Sequence, residues 1–246
     1  MRMLGLPVHK VDADDLLSFM DEVISNNQKA VILNLNVQGV NLSVEHPWVA
    51  DFFRRVHMVH CDGDGVRMGL RMLGHTPPPK VTYNVWFWQI CASCESKEQS
   101  LFFLGSKPGI AAEAAERARE RFPRIKIVGV HEGYFAKEGP ENDEVLVKIN
   151  EARPDILLTC FGMPVQEMWI RDNWKKIDSH VFLAGGAALE YAAGRVPIAP
   201  RWMVRMHLEW LFRFLLEPRR LFSRYIVGNP LFLCRVLRER LGRSRG

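Results

Sequence analysis

No uninterrupted apolar run in this sequence approaches the roughly 18 residues that a membrane-spanning helix needs, so no transmembrane helix is expected. Cysteine is scarce. The five residues Cys61, Cys91, Cys94, Cys160 and Cys234 are too few and too unevenly spaced for a disulfide framework, which points to a reducing, cytosolic compartment. Cys91-Ala92-Ser93-Cys94 is a lone C-x-x-C with no second pair to complete a four-ligand zinc site. Met1–Lys10 lacks the apolar centre of a signal peptide. Two nucleotide-binding fingerprints also fail. Gly63-x-Gly65 is followed by Met68 where a dinucleotide motif needs glycine, and Gly105–Gly109 lacks the Gly-Lys-Ser/Thr ending of a phosphate loop. Repeats, low-complexity tracts and recognised nucleic-acid motifs are absent too, so no nucleic-acid partner is expected.

What is present is an ordinary globular composition, with 48% hydrophobic and 25% charged residues over 246 positions. That suits one α/β domain with an appendage and excludes a wholly disordered chain. The charge is asymmetric. Arg201–Gly246 holds eleven Arg against three Glu, whereas the first 200 residues are slightly acidic. Such a basic tail suits an anionic partner.

Short β-rich runs recur at Ala30–Leu35, Val56–Cys61, Leu101–Leu104, Ile125–Val130, Ile156–Cys160 and Val181–Ala184. Helical patterns lie between several of them, the best being Ile110–Phe122, which contains no Gly or Pro. Alternation of this kind predicts a doubly wound, mostly parallel sheet. Near Pro197-Ile198-Ala199-Pro200 the character changes to aromatic, basic and helical. We therefore divide the chain into an α/β domain, residues 1–196, and a helical appendage, residues 197–246. Within Trp202–Leu216 the polar positions Arg205, Glu209 and Arg213 recur every four residues, which predicts one helix with a narrow polar stripe. The appendage has three readings: a core-docked helix pair, a nucleic-acid arm, or a segment lying on an anionic membrane. Trp202, Trp210, Phe212, Phe214 and Phe222 among the arginines favour the membrane. An apolar tail face also suits a homo-oligomer contact.

Ligands of such sheets bind beyond the carboxyl ends of the strands, so the turns there are the candidate sites. Cys61-Asp62-Gly63-Asp64-Gly65 follows a strand, and its carboxylates admit three roles: general base, helix cap, or a Mg²⁺ or Mn²⁺ pair at Asp62 and Asp64. Gly105-Ser106-Lys107-Pro108-Gly109 opens a helix and suits an anion, with Lys107 adding charge, though an ordinary βα turn looks the same. Val130–Phe135 places Gly133 and Tyr134 after a strand, where an aromatic stacks on a base or sugar or else joins the core. Phe161–Glu167 offers Gln166 beside a Gly/Pro turn.

These turns, in this order, resemble the WecG/TagA/CpsF glycosyltransferase family over nearly the whole chain. The matching stretches are Phe103–Gly109, Ile127–Gly129 with Gly133–Phe135, Phe161–Ile170, Gly194–Val196, Ala199–Met203, Leu208–Leu211 and Glu217–Arg220. The resemblance implies a Rossmann-like inverting enzyme. It would move a sugar, such as an N-acetylhexosamine like ManNAc or a hexose, from a UDP-sugar donor onto a polyprenyl-diphosphate-linked sugar acceptor in surface polysaccharide synthesis. It further implies action without a metal cofactor and a peripheral location on the inner face of the cell membrane. The family's proposed base falls on Asp62. Its Thr-Pro-Asn segment falls on Asn34-Leu35-Asn36, and its glutamine on Gln166. Its tail arginines fall on Arg213, Arg219, Arg220 and Arg224. Where the family has Arg-Val-Thr-Gly-x-Asp-Leu, this sequence has Lys80-Val81-Thr82-Tyr83-Asn84-Val85-Trp86. Asn34 replaces a threonine, and Asp64 stands where a small or apolar residue is usual. The altered Lys80–Trp86 segment leaves a second reading, a silent UDP-sugar-binding or scaffold protein; a third, a nucleotide-dependent oxidoreductase on the same type of sheet, has the failed glycine fingerprint against it.

Overall fold

The structure is a computed structural model and describes residues 1–243; the last three residues of the basic stretch lie outside the described residues. The chain opens with a two-stranded antiparallel hairpin, β1 (Arg2–Met3) and β2 (Leu6–Pro7). Six strands then build one sheet: β3 (Ala30–Leu35), β4 (Met58–Cys61), β5 (Ser100–Gly105), β6 (Lys126–His131), β7 (Ile156–Cys160) and β8 (Val181–Ala184). Their spatial order is β4-β3-β8-β7-β5-β6, and every neighbouring pair is parallel. The doubly wound α/β architecture expected from the alternating runs is the one observed.

Strands covered on both faces must be apolar on both faces. Ala30–Leu35, Ile156–Cys160 and Val181–Ala184 are buried at every position. On one face, Ile32, Leu158 and Leu183 meet α1 (Ala13–Ser25), α5 (Tyr83–Lys97), α6 (Ile110–Arg121) and α9 (Ala188–Ala192). On the other, Leu33, Leu157 and Phe182 meet α2 (Val37–Glu45), α3 (Pro47–Arg55), α4 (Asp64–Met72), α7 (Pro140–Ala152) and α8 (Val165–Asn173). The boundaries follow local chemistry. Asp12 caps α1 by accepting from Asp14 N and Asp15 N, while Asp15 returns a bond to Asp12 N. α6 buries a stripe of Ala111, Ala114, Ala115 and Ala118, and these small side chains let it pack against α9.

Beyond residue 197 the structure departs from a single long amphipathic helix. The polar stripe falls on two short helices, α10 (Arg201–Arg205) and α11 (Glu209–Leu216). The chain breaks between them at His207, whose φ is +60°. α12 (Pro218–Phe222) follows, then a π-helical turn at Ser223–Val227 and α13 (Gly228–Arg243). α13 belongs to the core of the domain. Phe232 and Val236 are fully buried in the second cluster, and a Cβ on Gly69 of α4 would lie 2.7 Å from the Phe232 ring. Arg235 bonds Asn41 of α2, and Leu4 N donates to Glu239. The basic stretch is thus an excursion, residues 197–227, whose far end is bolted into the α/β body.

Candidate active site

In this sheet β5 leads outward to β6, while its neighbour β7 leads the other way to β8. Connections that part in opposite directions open a crevice at the strand ends. Here it becomes a cavity of about 1340 Å³, walled by the turns after β3 to β8 and by the excursion.

Among the carboxylates on its wall is Asp62, on the turn after β4. The backbone N–H donates to Leu35 O at 2.9 Å, and Oδ2 accepts from Asn34 Nδ2 at 2.7 Å. Burial pushes the Asp62 pKa up, while the Asn34 bond and the Arg224 charge pull against that rise. The Asn36 side chain adds a further hydrogen bond that favours the ionised form, and a raised carboxylate held in this way is suited to taking a proton. Gly63 follows with φ +103°, which lets the chain turn straight into α4.

Asp64 is differently committed. Its oxygens meet Lys80 Nζ at 2.8 Å, Arg67 at 3.2 Å and His207 Nδ1 at 3.0 Å. Lys80 also bonds Glu209 of α11. Lys80 therefore sits between two carboxylates and is not on the cavity wall.

The glycine turns are bonded to one another. A Cβ at Gly105 would lie 2.4 Å from Cys160 O, so β5 and β7 approach this closely only with glycine there. Ser106 N donates to Cys160 O at 2.9 Å, and Gly133 N to Ser106 O at 2.8 Å. Gly105 itself is not on the wall, whereas Ser106, Lys107, Gly133 and Tyr134 are. The Tyr134 ring is 66% exposed. Gln166 is buried and ties two turns together, because Oε1 accepts from Gly162 N and Gly186 N. Its Nε2 donates to Glu167 Oε1 at 2.8 Å.

The excursion supplies the cations. Arg213, Arg220 and Arg224 line the cavity, and Arg219 is exposed outside it. The Arg213 guanidinium lies over the Tyr191 ring at 5.1 Å, and its buried NH1 has no hydrogen-bond partner. Asn36, a predicted ligand, lines the wall while capping α2 through Gly39 N.

Several wall residues escaped the sequence reading. Glu190 and Tyr191 follow the Gly185-Gly186 turn after β8, and that strand-then-glycine signal was available. Lys137 had none. Its Nζ donates to Gly133 O and Phe135 O, sits 3.5 Å from the Phe135 ring centre, and burial lowers its pKa to about 8. Glu167, the end of the Phe161–Glu167 turn singled out in the sequence, is not on the wall; buried beside Gln166, it is pushed up to about 7 by burial.

The sequence matches the Glycosyl transferase WecG/TagA/CpsF family over residues 1–246. The chain belongs to this family. Among curated proteins it is similar to N-acetylglucosaminyldiphosphoundecaprenol N-acetyl-beta-D-mannosaminyltransferase of Bacillus spizizenii, 26% identical over 239 residues, covering 95% of this chain and 91% of that one. The identically named protein of Bacillus subtilis is 26% identical over 231 residues, covering 92% and 87%. That of Staphylococcus aureus is 24% identical over 228 residues, covering 92% and 86%. As a WecG/TagA/CpsF member, the chain is a glycosyltransferase, and the cavity beneath the excursion is its candidate active site. The Asn34–Asp62 pair and three of the excursion's arginines, Arg213, Arg220 and Arg224, line this one cavity. Among the described residues, no helix is long and apolar enough to cross a membrane.

Proposed function

We propose that this glycosyltransferase moves a sugar, of the N-acetylhexosamine class or a hexose, from a UDP-sugar to a polyprenyl-diphosphate-linked sugar. The supporting observation is the presence within one cavity of a carboxylate, Asp62 held by Asn34, and the cations Arg213, Arg220 and Arg224. The relatives' names, which specify an undecaprenol-diphosphate-linked N-acetylglucosamine and an N-acetylmannosaminyl group, give the substrate class.

Asp62 removes the proton from the acceptor hydroxyl, and the oxygen attacks the anomeric carbon on the face opposite the diphosphate. The carbon–oxygen bond to UDP breaks with its electrons leaving on the diphosphate, so the configuration inverts. Base catalysis of this kind supplies about 10²–10⁴-fold. Negative charge grows on the departing UDP and meets the arginines, with Lys107 at the opening of α6 beside them. Tyr134 offers its exposed ring to the uracil base.

The reaction runs without a divalent metal in this proposal. Both Asp64 oxygens already face cations, which leaves Asp62 without a second carboxylate beside it for an ion. The excursion's Trp202, Met206, Leu215 and Phe222 are exposed beside Arg201, Arg205 and Arg219, a composition suited to the surface of an anionic bilayer where a lipid-linked acceptor resides.

UDP release from a panel of UDP-sugars, with a lipid-diphosphate-linked sugar acceptor, tests this in EDTA and again with Mn²⁺. Acceptor-dependent release in EDTA is expected. Release only with Mn²⁺ overturns the metal-free mechanism, and none in either buffer, on folded protein, overturns the transfer itself.

A further inference from the structure

Around Asp62 the protein buries polar atoms that find no partner. His60 stands opposite Asn34 in the β3–β4 register and two residues before Asp62, so it shares Asp62's side of the sheet. It is fully buried, and neither ring nitrogen has a hydrogen-bond partner. Two α5 side chains close over it. The Tyr83 ring centre lies 6.0 Å and the Trp86 centre 5.3 Å from His60, and the two are 5.2 Å from each other. Both are over nine-tenths buried, and Tyr83 OH and Trp86 Nε1 have no partner either. The same holds for Asn34 Oδ1, the far end of the amide whose Nδ2 holds Asp62.

Native proteins rarely leave a cluster of this kind unsatisfied, because each unpaired atom forfeits its hydration. The four side chains are complementary in kind. Trp86 Nε1 only donates, Asn34 Oδ1 only accepts, and Tyr83 and neutral His60 do both. Burial pushes the His60 pKa down to about 4, so the ring is neutral near pH 7. A bound water, which needs two to four polar partners, suits such a set. No cation is involved, so the cluster acts by hydrogen bonding and not by charge.

We propose that Tyr83, backed by His60 and Trp86, is a positioning residue for Asp62: through bound water it fixes the Asn34 amide with its NH₂ toward the carboxylate and solvates the ionised form of that carboxylate. The inference rests on Asp62 being the base of the proposed transfer. The same Tyr83 stands where the family segment has glycine, so the device belongs to this chain's own departures. The charged and titratable groups facing Asp62 from other elements are Arg224, Lys80, Tyr83 and Tyr191, with Cys61 and Asp64 on its own turn.

Tyr83→Phe removes one oxygen and keeps the ring, so it tests the device with little risk to folding. The full-length protein, labelled with ¹³C at aspartate carboxyls, is titrated by NMR, with Asp62→Asn identifying the Asp62 signal. The Asp62 midpoint is expected to rise by about half a unit or more in Tyr83→Phe, and in Trp86→Phe in the same direction. The acid limb of kcat/KM should move upward with it, while KM for the donor stays within about twofold. Superimposed Asp62 titrations, or a downward shift, overturn the proposal. The titration needs no substrate, so a wild-type protein without transfer activity would strike the proposed reaction alone.

Discussion

The Lys80 ammonium lies 2.8 Å from the Asp64 carboxylate, and its other side is bonded to Glu209 of α11. Each of the first two is a departure from the family pattern, and they are partners: a lysine where arginine is usual meets an acid where a small residue is usual. With His207 on the same carboxylate, the group fastens the excursion to the turn that carries Asp62.

Replacing Lys80 with Met leaves Glu209 without this cation and Asp64 with only Arg67 and His207, at a cost of about 1–3 kcal/mol. Faster proteolysis within residues 197–227 should report it, with Glu209→Gln in the same chain restoring part of the protection. Identical cleavage rates would show that the excursion is held elsewhere. The group also has a pH signature. Partial burial tends to raise the Asp64 pKa, but Lys80 and His207 outweigh it and the net shift is downward. Its stabilisation is therefore present above the ordinary carboxylate range and lost as pH falls through the depressed value. Burial tends to lower Lys80, but Asp64 and Glu209 raise it, so its share is present below the ordinary lysine range and lost as pH rises through the raised value.

Asp62→Asn should lower kcat by about 10²–10⁴-fold while calorimetric UDP affinity changes little, because Asn34 and the arginines remain. Near-wild-type turnover would remove Asp62 from the role of base.

Glu167 carries its proton to about pH 7 because it is buried. A raised acid stabilises the fold fully below its unfolded pKa, and that contribution is lost as pH rises through the folded value. Glu167→Gln keeps an acceptor for Gln166 and removes the titration. The variant should flatten the dependence of Tm on pH between about 4.5 and 7, with a gain on the order of 2–3 kcal/mol over wild type at pH 8. Parallel Tm curves for the two proteins would contradict this.

Two phenylalanines of the basic stretch should behave oppositely. Phe232 is 1% exposed, and Phe232→Ala should cost about 3–5 kcal/mol in denaturant unfolding. Phe222 is 53% exposed, and Phe222→Ala should change stability by less than about 0.5 kcal/mol while weakening pelleting with anionic liposomes. Unaltered pelleting would count against membrane contact through this face.

Arg224→Ala removes a charge that faces Asp62. The acid limb of the pH–rate profile should shift upward, and UDP affinity should fall by roughly tenfold, the equivalent of about one charge-assisted hydrogen bond. A loss of rate with unchanged UDP affinity would instead place Arg224 on the acceptor side.

The sequence by itself determined the strands and the turns that line the cavity. Ala30–Leu35, Ile156–Cys160 and Val181–Ala184 were legible to the residue, because strands buried on both faces show as short apolar runs and the glycines punctuating them mark the strand ends. Val56–Cys61 was too long by two residues, since Val56 is an apolar residue at the end of α3 and hydrophobicity does not tell a cap from a strand. Only the tertiary structure decided what those turns meet. Lys80 and Glu209 are separated by 129 positions, and no local period links them. The break at His207 interrupts a helical pattern where Asp64 meets His207 itself and Lys80 meets Glu209 just after it. α13 reads as a basic tail yet buries Phe232 and Val236 against α2 and α4, because two apolar side chains find a groove that exists only after the sheet is covered. The polar cluster around Asp62 is likewise invisible in sequence: His60, Tyr83 and Trp86 become a set only when α5 lies on β4.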